Sequence, residues 1–302
     1  MKKYVPVIIL VIMLVCSCQK SLESHDFFAM DTYMNISIDG GEEDINAAKR
    51  EVYRIEELFD RDNLDKNNPE VLNLIDESYK ISEFTKGCFD TTIAPLVELW
   101  GFPDKKYTVP HESEIKNTLK KVGYNKNSPD AEYDFGAVAK GYAGDRVRDV
   151  LVQRGVKSAI VSLGGNIVAV GTRPDGKPWS VGIKNPFGQG YIGHVKAKDT
   201  CVVTSGDYER YFEHHGKRYC HIIDPKTGYP AESGLKSVTL ISENGVLADA
   251  LSTAFYVMGE EQTKKFYEDT DGKMGEFCYS VVLVDGGGRT SVLGDVDFTE
   301  GE

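Results

Sequence analysis

The second half of this 302-residue chain is a series of short apolar segments separated by turn-forming residues, and that series limits the possible folds more than any other feature. Short apolar or alternating segments bounded by turn residues predict β-strands. The predicted strands span residues 159–163, 166–170, 179–183, 191–197, 201–204, 219–223, 237–241, 279–284 and 290–293. Gly164-Gly165 and Gly286-Gly287-Gly288 are typical of tight turns, and strands joined by tight turns pair antiparallel. The sequence therefore predicts a mostly antiparallel sheet.

The first half carries apolar residues at helical spacing. Ile45, Ala48, Val52, Ile55 and Phe59 recur every three or four positions, which predicts a helix. Further elements are predicted to be a helix that begins at Asn68-Pro69, helices over 141–153 and 246–258, and one strand over 28–38. Helices and strands do not alternate regularly, which argues against a doubly wound dinucleotide-binding fold. We expect an α+β fold, a single globular domain with a mostly antiparallel sheet and packed helices.

The N-terminus has the pattern of a bacterial secretory signal. Lys2 and Lys3 precede an apolar run over 5–15, which is too short to span a bilayer comfortably. Val15-Cys16-Ser17-Cys18 resembles a lipobox, which predicts a signal peptide over 1–17 and a lipid on Cys18. Residues 18–26 would then be a tether, and 27–302 an extracytoplasmic domain anchored to the membrane by that lipid. An uncleaved anchor or plain secretion is the alternative.

Composition excludes some partners and some sites. Lys and Arg total 35 against 47 Asp and Glu, a net charge of −12, so we expect no nucleic-acid partner and no attraction to an anionic membrane surface through charge. Any phosphate must therefore be bound by local groups. The cysteines that follow the signal segment lack zinc-site spacing, and we expect no essential disulfide.

Residues 134–141 form the first of three segments able to carry chemistry. In Asp134-Phe135-Gly136-Ala137-Val138-Ala139-Lys140-Gly141 a carboxylate and a lysine flank small residues at the entry to a predicted helix. Small residues let a ligand approach the backbone, and Lys140 supplies a positive charge for phosphate. A purely structural loop is the alternative, because loops that enter helices commonly contain Gly and Lys.

The other two segments contain Asp249 and His221. Asp249 and Thr253 are four residues apart on a predicted helix, so they share a face and offer the hard oxygen ligands that Mg²⁺ prefers. From spacing alone, an N-terminal helix-capping role for Asp249 is the simpler explanation. His221 lies on a predicted strand before the turn Asp224-Pro225, where a neutral imidazole is suited to general-base catalysis. A structural histidine is the alternative.

These segments and four others follow one another in the order found in a known family. They are Phe28 to Thr32, Thr85 to Asp90, Asp134 to Gly141, Ser162 to Asn166, Thr204 to Tyr208, His221 to Gly228 and Asp249 to Thr253, and they span nearly all of the chain after the signal segment. With the lipobox in front, the sequence resembles the ApbE-type flavin transferases, bacterial lipoproteins that act as FAD:protein FMN transferases. An α+β domain, with a T-fold-like core as one compatible arrangement, agrees with this resemblance.

The resemblance implies a Mg²⁺-dependent reaction with FAD as substrate. FMN would be transferred through its phosphate to a Thr or Ser hydroxyl of an exported acceptor flavoprotein, such as a subunit of an electron-transfer or ion-pumping complex, and AMP would be released. The implied metal ligands are Asp249, Thr253 and the carbonyl of Ala137, with Ser252 contributing through its backbone. The implied FAD contacts are Met30, Cys88, Phe89, Asp90, Asp134, Lys140 and Ile222. His221 is the candidate base for the acceptor hydroxyl.

Two departures from the family pattern concern the flavin contacts. The chain has Met30-Asp31-Thr32 where the family often has Met-Gly-Thr, and residues 60–63 lack the aromatic residue expected there.

Two other functions would use the same site: a Mg²⁺-dependent FAD pyrophosphatase that transfers to water, and a flavin-binding lipoprotein without turnover. The residues do not distinguish transfer from hydrolysis, which depends on how the docked acceptor excludes water.

Overall fold

A computed structural model describes residues 21–126 and 130–301 and contains one large antiparallel sheet. The predicted signal segment and Cys18, the predicted lipidation site, lie outside these residues. Within the described part of the chain, no helix is both long and apolar enough to cross a membrane. The helices are α1 (Glu42–Leu58), α2 (Pro69–Phe84), α3 (Ala94–Leu99), α4 (Glu112–Thr118), α5 (Ala139–Gln153) and α6 (Gly245–Thr270).

The described residues form fourteen strands: β1 (Glu23–Ala29), β2 (Thr32–Ile38), β3 (Ser158–Leu163), β4 (Asn166–Gly171), β5 (Trp179–Lys184), β6 (Tyr191–Ala197), β7 (Thr200–Gly206), β8 (Tyr211–His214), β9 (Lys217–Cys220), β10 (Leu235–Ser242), β11 (Lys273–Met274), β12 (Phe277–Asp285), β13 (Thr290–Leu293) and β14 (Phe298–Glu300). The nine-stranded sheet has the order β1-β2-β3-β4-β7-β10-β12-β11, with β13 also on β12. Strands β14-β6-β5 form a second sheet, and β8-β9 a hairpin. The α+β fold predicted from the sequence is confirmed.

Each face of the large sheet is covered by a different layer. Helices α1, α5 and α6 bury one face in the main hydrophobic core, which includes Ile55, Val147 and Leu251. The three-stranded sheet covers the other face, where Trp179 and Val195 pack against Val202 and Val282. Alternate residues of each central strand are therefore buried on opposite faces, which explains the nearly continuous apolar runs in the sequence.

Helices α5 and α6 approach each other unusually closely, and two glycines allow it. A Cβ on Gly141 would lie 2.2 Å from the carbonyl oxygen of Gly245, and a Cβ on Gly245 would lie 2.6 Å from that of Gly141. Real Cβ atoms do not occupy such distances, so any side chain at either position would separate the helices. This contact places the first turn of α5 against the first turns of α6.

Three predicted elements differ in the structure. The strand predicted over 28–38 is the hairpin β1–β2, because Met30 and Asp31 turn the chain with φ of 47° and 58°, which few non-glycine residues adopt. The strand predicted over 219–223 ends at Cys220, so His221 lies just beyond β9. The helix predicted over 246–258 is longer, since α6 continues beyond an interruption at Gly259.

Candidate active site

A cavity of about 1130 Å³ opens between the helical layer and the loops that follow β7 and β9. Nearly all the site residues predicted from the sequence line it, although they come from segments that are far apart in the chain. These are Met30, Cys88, Phe89, Asp90, Asp134, Ala137, Lys140, His221, Ile222, Asp249 and Thr253. The predicted segments therefore converge on one place, which is large enough for a dinucleotide.

Asp249 lies in the second turn of α6 and is held by the neighbouring helix. Its Oδ2 accepts a 2.8 Å hydrogen bond from the backbone N–H of Gly141. The side chain is only 4% exposed, and burial raises the pKa of its carboxyl group, an effect that the nearby charge of Lys140 opposes. Asp249 does not cap its own helix, because the N-cap is Asn244, whose Oδ1 accepts from the N–H of Leu247. The capping explanation for Asp249 is therefore wrong.

The same hydrogen bond leaves a backbone carbonyl available at the entrance to α5. In a regular helix the N–H of Gly141 would donate to the carbonyl of Ala137, four residues earlier. It donates to Asp249 instead, and the Ala137 carbonyl accepts no backbone hydrogen bond among the described residues. Ala137 itself lines the cavity. The Ala137 carbonyl is therefore free to bind a ligand in the part of the cavity that contains Asp249.

His221 presents one ring nitrogen to the cavity. Its Nδ1 lies 3.1 Å from the carbonyl oxygen of Arg210, which can only accept, so this nitrogen carries the proton and Nε2 is left with a free lone pair. Removal of water by the surrounding protein, followed by the charges of Arg210 and Lys140, lowers the pKa of His221 to about 4. The imidazole is neutral at pH 7, as a general base must be.

Aromatic rings form one wall of the cavity. Phe59 and Phe135 lie with their ring centroids 5.0 Å apart, and Tyr133 stacks on Phe135 at 5.9 Å. All three line the cavity close to Asp134, and Met30 lines it as well. Flat, polarizable surfaces of this kind suit a planar aromatic ligand.

Comparison with known proteins identifies the family. A sequence model of the ApbE family matches residues 30–277, which is most of the chain. The chain belongs to the ApbE family.

Relatives of known sequence and structure agree with this assignment. An FAD:protein FMN transferase of Klebsiella pneumoniae is 36% identical over 232 residues, which are 72% of this chain and 71% of that protein. Its counterpart in Haemophilus influenzae is 32% identical, and the match covers 70% of this chain and 65% of that protein. The family and the enzyme class predicted from the sequence are confirmed.

Solved structures show the same architecture. The crystal structure of an ApbE protein from Thermotoga maritima superposes with a TM-score of 0.80 at 32% identity, covering 89% of this chain and 96% of that one. The flavin transferase ApbE from Vibrio cholerae has a TM-score of 0.75 at 26% identity, covering 90% and 97%. The fold is therefore the ApbE fold over nearly the whole described chain.

The donors of this ApbE site fit a hard divalent cation. Asp249 offers a buried carboxylate that forms no ion pair within the described parts of the chain, and an uncompensated buried charge recruits a proton or a cation. Thr253 follows one helical turn later, and its hydroxyl lies 3.3 Å from that of Ser205. Residues 21–126 and 130–301 contain no cluster of three or more His, Cys, Asp or Glu side chains suited to a metal. A cation would therefore depend on one carboxylate, a hydroxyl and the Ala137 carbonyl, which is a set suited to Mg²⁺.

Ser252 is the one predicted residue of the described chain that does not line the cavity. Its hydroxyl is fully buried, donates to the carbonyl of Asp249 at 2.8 Å and forms a 2.7 Å hydrogen bond with the hydroxyl of Ser205. The side chain therefore positions Ser205 of β7, which itself lines the cavity. A backbone contribution of Ser252 to metal binding stays a prediction.

Two predicted ligand contacts are also held firmly by the protein itself. Asp90 accepts hydrogen bonds from the N–H and hydroxyl of Thr92 and from the N–H of Tyr124, so its oxygens already have donors. Cys88 lies 3.2 Å from the ammonium nitrogen of Lys226. These contacts fix the cavity wall, and a role in binding FAD stays a prediction for both residues.

Sequence reasoning missed several residues of the cavity. Helical spacing places Phe59 in the core stripe of α1, yet its ring lines the cavity and supplies an aromatic surface next to the segment 60–63 that lacks one. Asn166, Ser205 and Arg210 also line it. The first two lie in segments that carry the family resemblance, which was the available signal, but nothing in the local pattern shows which way their side chains point.

Proposed function

We propose that this chain transfers FMN from FAD, through the FMN phosphate, to a Thr or Ser hydroxyl of an exported acceptor flavoprotein and releases AMP. The observation that carries the proposal is the convergence on one cavity of a neutral imidazole, a lysine, a buried carboxylate and an aromatic wall. The relatives named FAD:protein FMN transferase support it. A subunit of an electron-transfer or ion-pumping complex is the kind of acceptor that we expect.

Two sets of residues in the cavity wall suit different parts of FAD. The aromatic wall of Phe59, Tyr133 and Phe135 suits the flavin ring, since flat apolar surfaces stack on it. Asp249 and Lys140 line the polar region, where a diphosphate would meet positive charge in an otherwise acidic protein. Binding FAD across both regions would hold its diphosphate beside His221.

The residues then have distinct tasks in the transfer. Nε2 of His221 takes the proton of the acceptor hydroxyl, which requires an approach to about 3 Å, directly or through one water. The hydroxyl oxygen forms a bond to the phosphorus of the FMN phosphate, and the bond from that phosphorus to the oxygen bridging to AMP breaks. The electron pair of the broken bond leaves with AMP. Lys140 offsets the negative charge of the phosphates throughout.

Asp249, Thr253 and the Ala137 carbonyl would hold a Mg²⁺ ion at this site. When bound, such an ion neutralises charge on the diphosphate and on the leaving phosphate. The protein's own contribution is to orient Asp249 through the N–H of Gly141, while that bond and the charge of Lys140 favour its ionised form against the effect of burial on its pKa.

One experiment tests the proposed reaction. The purified chain is incubated with FAD, Mg²⁺ and a candidate acceptor flavoprotein, after which the acceptor is weighed by mass spectrometry and AMP is measured. A mass gain equal to FMN, with one AMP per transfer, is the expected result. AMP without the mass gain would instead establish a pyrophosphatase, and neither product would leave a flavin-binding protein. The His221→Ala variant, expected to bind FAD without transferring FMN, is the control.

We also propose that the protein is exported and anchored to the bacterial membrane by a lipid on Cys18. Support comes from the sequence alone, because residues 1–20 lie outside the described structure. Cys18→Ala should move the protein from the membrane fraction to the soluble fraction, and mass spectrometry of the N-terminal peptide should find the lipid on the parent protein. An unmodified Cys18 in the membrane fraction would contradict the proposal.

A further inference from the structure

Ser205 lies near the end of β7, at the edge of the cavity and beneath α6. Cys201 and Val203 are on the same face of this strand, and both belong to the main core on the helical side of the sheet. Because side chains alternate along a strand, Ser205 is also directed at the helical layer. It lines the cavity and is half-buried. The last polar side chain of β7 on this face therefore meets α6 at the cavity wall.

Three hydroxyl groups form a chain of hydrogen bonds at this contact. The hydroxyl of Ser252 donates to the carbonyl oxygen of Asp249 at 2.8 Å. The oxygen of Ser252 also lies 2.7 Å from the hydroxyl oxygen of Ser205. Ser205 in turn lies 3.3 Å from the hydroxyl oxygen of Thr253. One residue of β7 thus connects the hydroxyl groups of two neighbouring residues of α6.

The carbonyl at one end fixes the direction of every proton in the chain. A carbonyl oxygen only accepts, and each hydroxyl has a single proton to donate. Ser252 uses its proton on Asp249, so the contact between Ser205 and Ser252 needs the proton of Ser205. The oxygen of Ser205 is then left to accept, and Thr253 must donate to it. The proton of Thr253 therefore points at β7, and its lone pairs are left for the cavity, which Thr253 lines.

This orientation is the one that a metal-binding hydroxyl requires. A neutral hydroxyl binds a cation through a lone pair, so its proton must point away from the ion. The charge of the ion also makes that proton a stronger donor, which increases the benefit of an acceptor behind it. Protein groups that orient a metal ligand in this way contribute strongly to metal affinity. Ser205 is placed to do this for Thr253.

We propose that Ser205 is a positioning residue for the divalent cation, because its oxygen accepts the proton of Thr253 and keeps a lone pair of Thr253 available to the ion. This inference rests on the proposed function, in which Thr253 and Asp249 bind Mg²⁺. It adds a residue that acts through Thr253, and it explains why a serine of β7 is hydrogen-bonded to both neighbouring hydroxyl groups of α6.

Tyr279 provides a matched control, because its hydroxyl belongs to a similar chain at the other end of α6. It lies 2.7 Å from the hydroxyl of Thr270, which donates to the carbonyl of Phe266 at 2.8 Å. Tyr279→Phe removes one hydroxyl from a chain that ends on a helix carbonyl, as Ser205→Ala does. Tyr279 does not line the cavity. Its variant should therefore lose comparable stability and keep the cation affinity of the parent protein.

The test compares the full chain with Ser205→Ala, Thr253→Val, the double variant and Tyr279→Phe. Mn²⁺ replaces Mg²⁺ as the probe, since electron paramagnetic resonance of the free ion gives the amount bound. The titrations contain enough FAD to saturate the parent protein, and melting temperatures report the stability of each variant. Ser205→Ala should bind Mn²⁺ about 10-fold more weakly than the parent protein. Because Ser205 acts through Thr253, the same change should have little effect once residue 253 is valine.

Three results would overturn the inference. These are an unchanged Mn²⁺ affinity in Ser205→Ala, an equal loss of affinity in Tyr279→Phe, or the same loss from Ser205→Ala whether residue 253 is threonine or valine. Failure of the parent chain to bind Mn²⁺ would overturn the metal site of the proposed function and this inference together. A parent chain that binds Mn²⁺ but transfers no FMN would overturn the proposed function alone, because the role of Ser205 is measured by cation binding.

Discussion

The backbone N–H of Gly141 donates a hydrogen bond to the carboxylate of Asp249, 108 residues further along the chain. This bond joins the first turn of α5 to the second turn of α6 and sets the direction of the carboxylate. It exists because two glycines let the helices approach until a Cβ on Gly141 would lie 2.2 Å from the carbonyl oxygen of Gly245.

Gly141→Ala should weaken both the fold and the site. The added methyl would force α5 and α6 apart, which costs about 1–3 kcal/mol in the free energy of unfolding, as overpacking does elsewhere. The shift would also stretch the bond to Asp249, so FMN transfer should fall more than stability alone explains. Chemical denaturation and the transfer assay measure the two effects. Gly188→Ala is the control, since a Cβ there meets no atom within 4 Å; equal behaviour of the two variants would contradict the prediction.

Asp249→Asn should abolish activity while stabilising the metal-free protein. Burial raises the pKa of Asp249, so its ionised form destabilises the fold, increasingly as pH rises above the pKa of the unfolded chain. An asparagine keeps an acceptor for the N–H of Gly141 without a charge to bury. We expect turnover to fall at least about a hundredfold relative to the parent protein. The melting temperature of the variant should exceed that of the parent protein, and by more at pH 7 than at pH 4. A less stable variant at pH 7 would contradict this account of Asp249.

The low pKa of His221 should be visible in the pH dependence. With a pKa of about 4, His221 is neutral throughout the range from pH 5 to 7, so kcat/KM should stay nearly level there with respect to this group and fall only as pH approaches 4. Nuclear magnetic resonance titration of the ring protons checks the value directly. Titration near the ordinary histidine value of about 6.5 would show that burial and the two nearby cations do not control it. Lys140→Met should raise the pKa of His221, because it removes one of those cations.

Asp145 should make the stability of the protein depend on pH. Its Oδ2 accepts from the N–H groups of Gly245 and Val246 at the start of α6, and burial raises its pKa from 3.8 to about 6. Because the folded state binds this proton more tightly, stability from Asp145 is greatest below pH 4 and is lost as pH rises to about 6. As the pH rises from about 4 to above 6, the free energy of unfolding of Asp145→Asn should therefore increase by about 3 kcal/mol relative to that of the parent protein. Denaturation at pH 4 and pH 7 measures the difference, and a constant difference would contradict it.

Local patterns in the sequence predict the regular elements well. The stripe from Ile45 to Ile55 became α1, and Asn68 caps α2 as expected, accepting from the N–H of Glu70. Both signals lie within one or two helical turns, so no distant contact is needed to recognise them. The prediction of one strand over 28–38 is wrong because the turn at Met30 and Asp31 has positive φ values without a glycine to indicate them.

The candidate site was predictable in its members but not in its geometry. Asp249 and Thr253 share a face by helical spacing, which the sequence shows, yet the partner of Asp249 comes from another helix. Ser252 illustrates the limit: it neighbours both residues in sequence, but its hydroxyl turns toward β7. Which direction a side chain faces depends on what packs against its helix.

The sequence by itself determined the α+β class, the antiparallel sheet and the family, because strand alternation, helical spacing and turn chemistry are encoded in short windows of residues. The tertiary structure alone decided that these segments meet around one cavity, that the Nδ1 of His221 is bound to Arg210, and that the N–H of Gly141 donates to Asp249. The physical reason is that burial, hydrogen-bond pairing and pKa depend on atoms that are close in space. Short windows of sequence do not show which distant residues will be close.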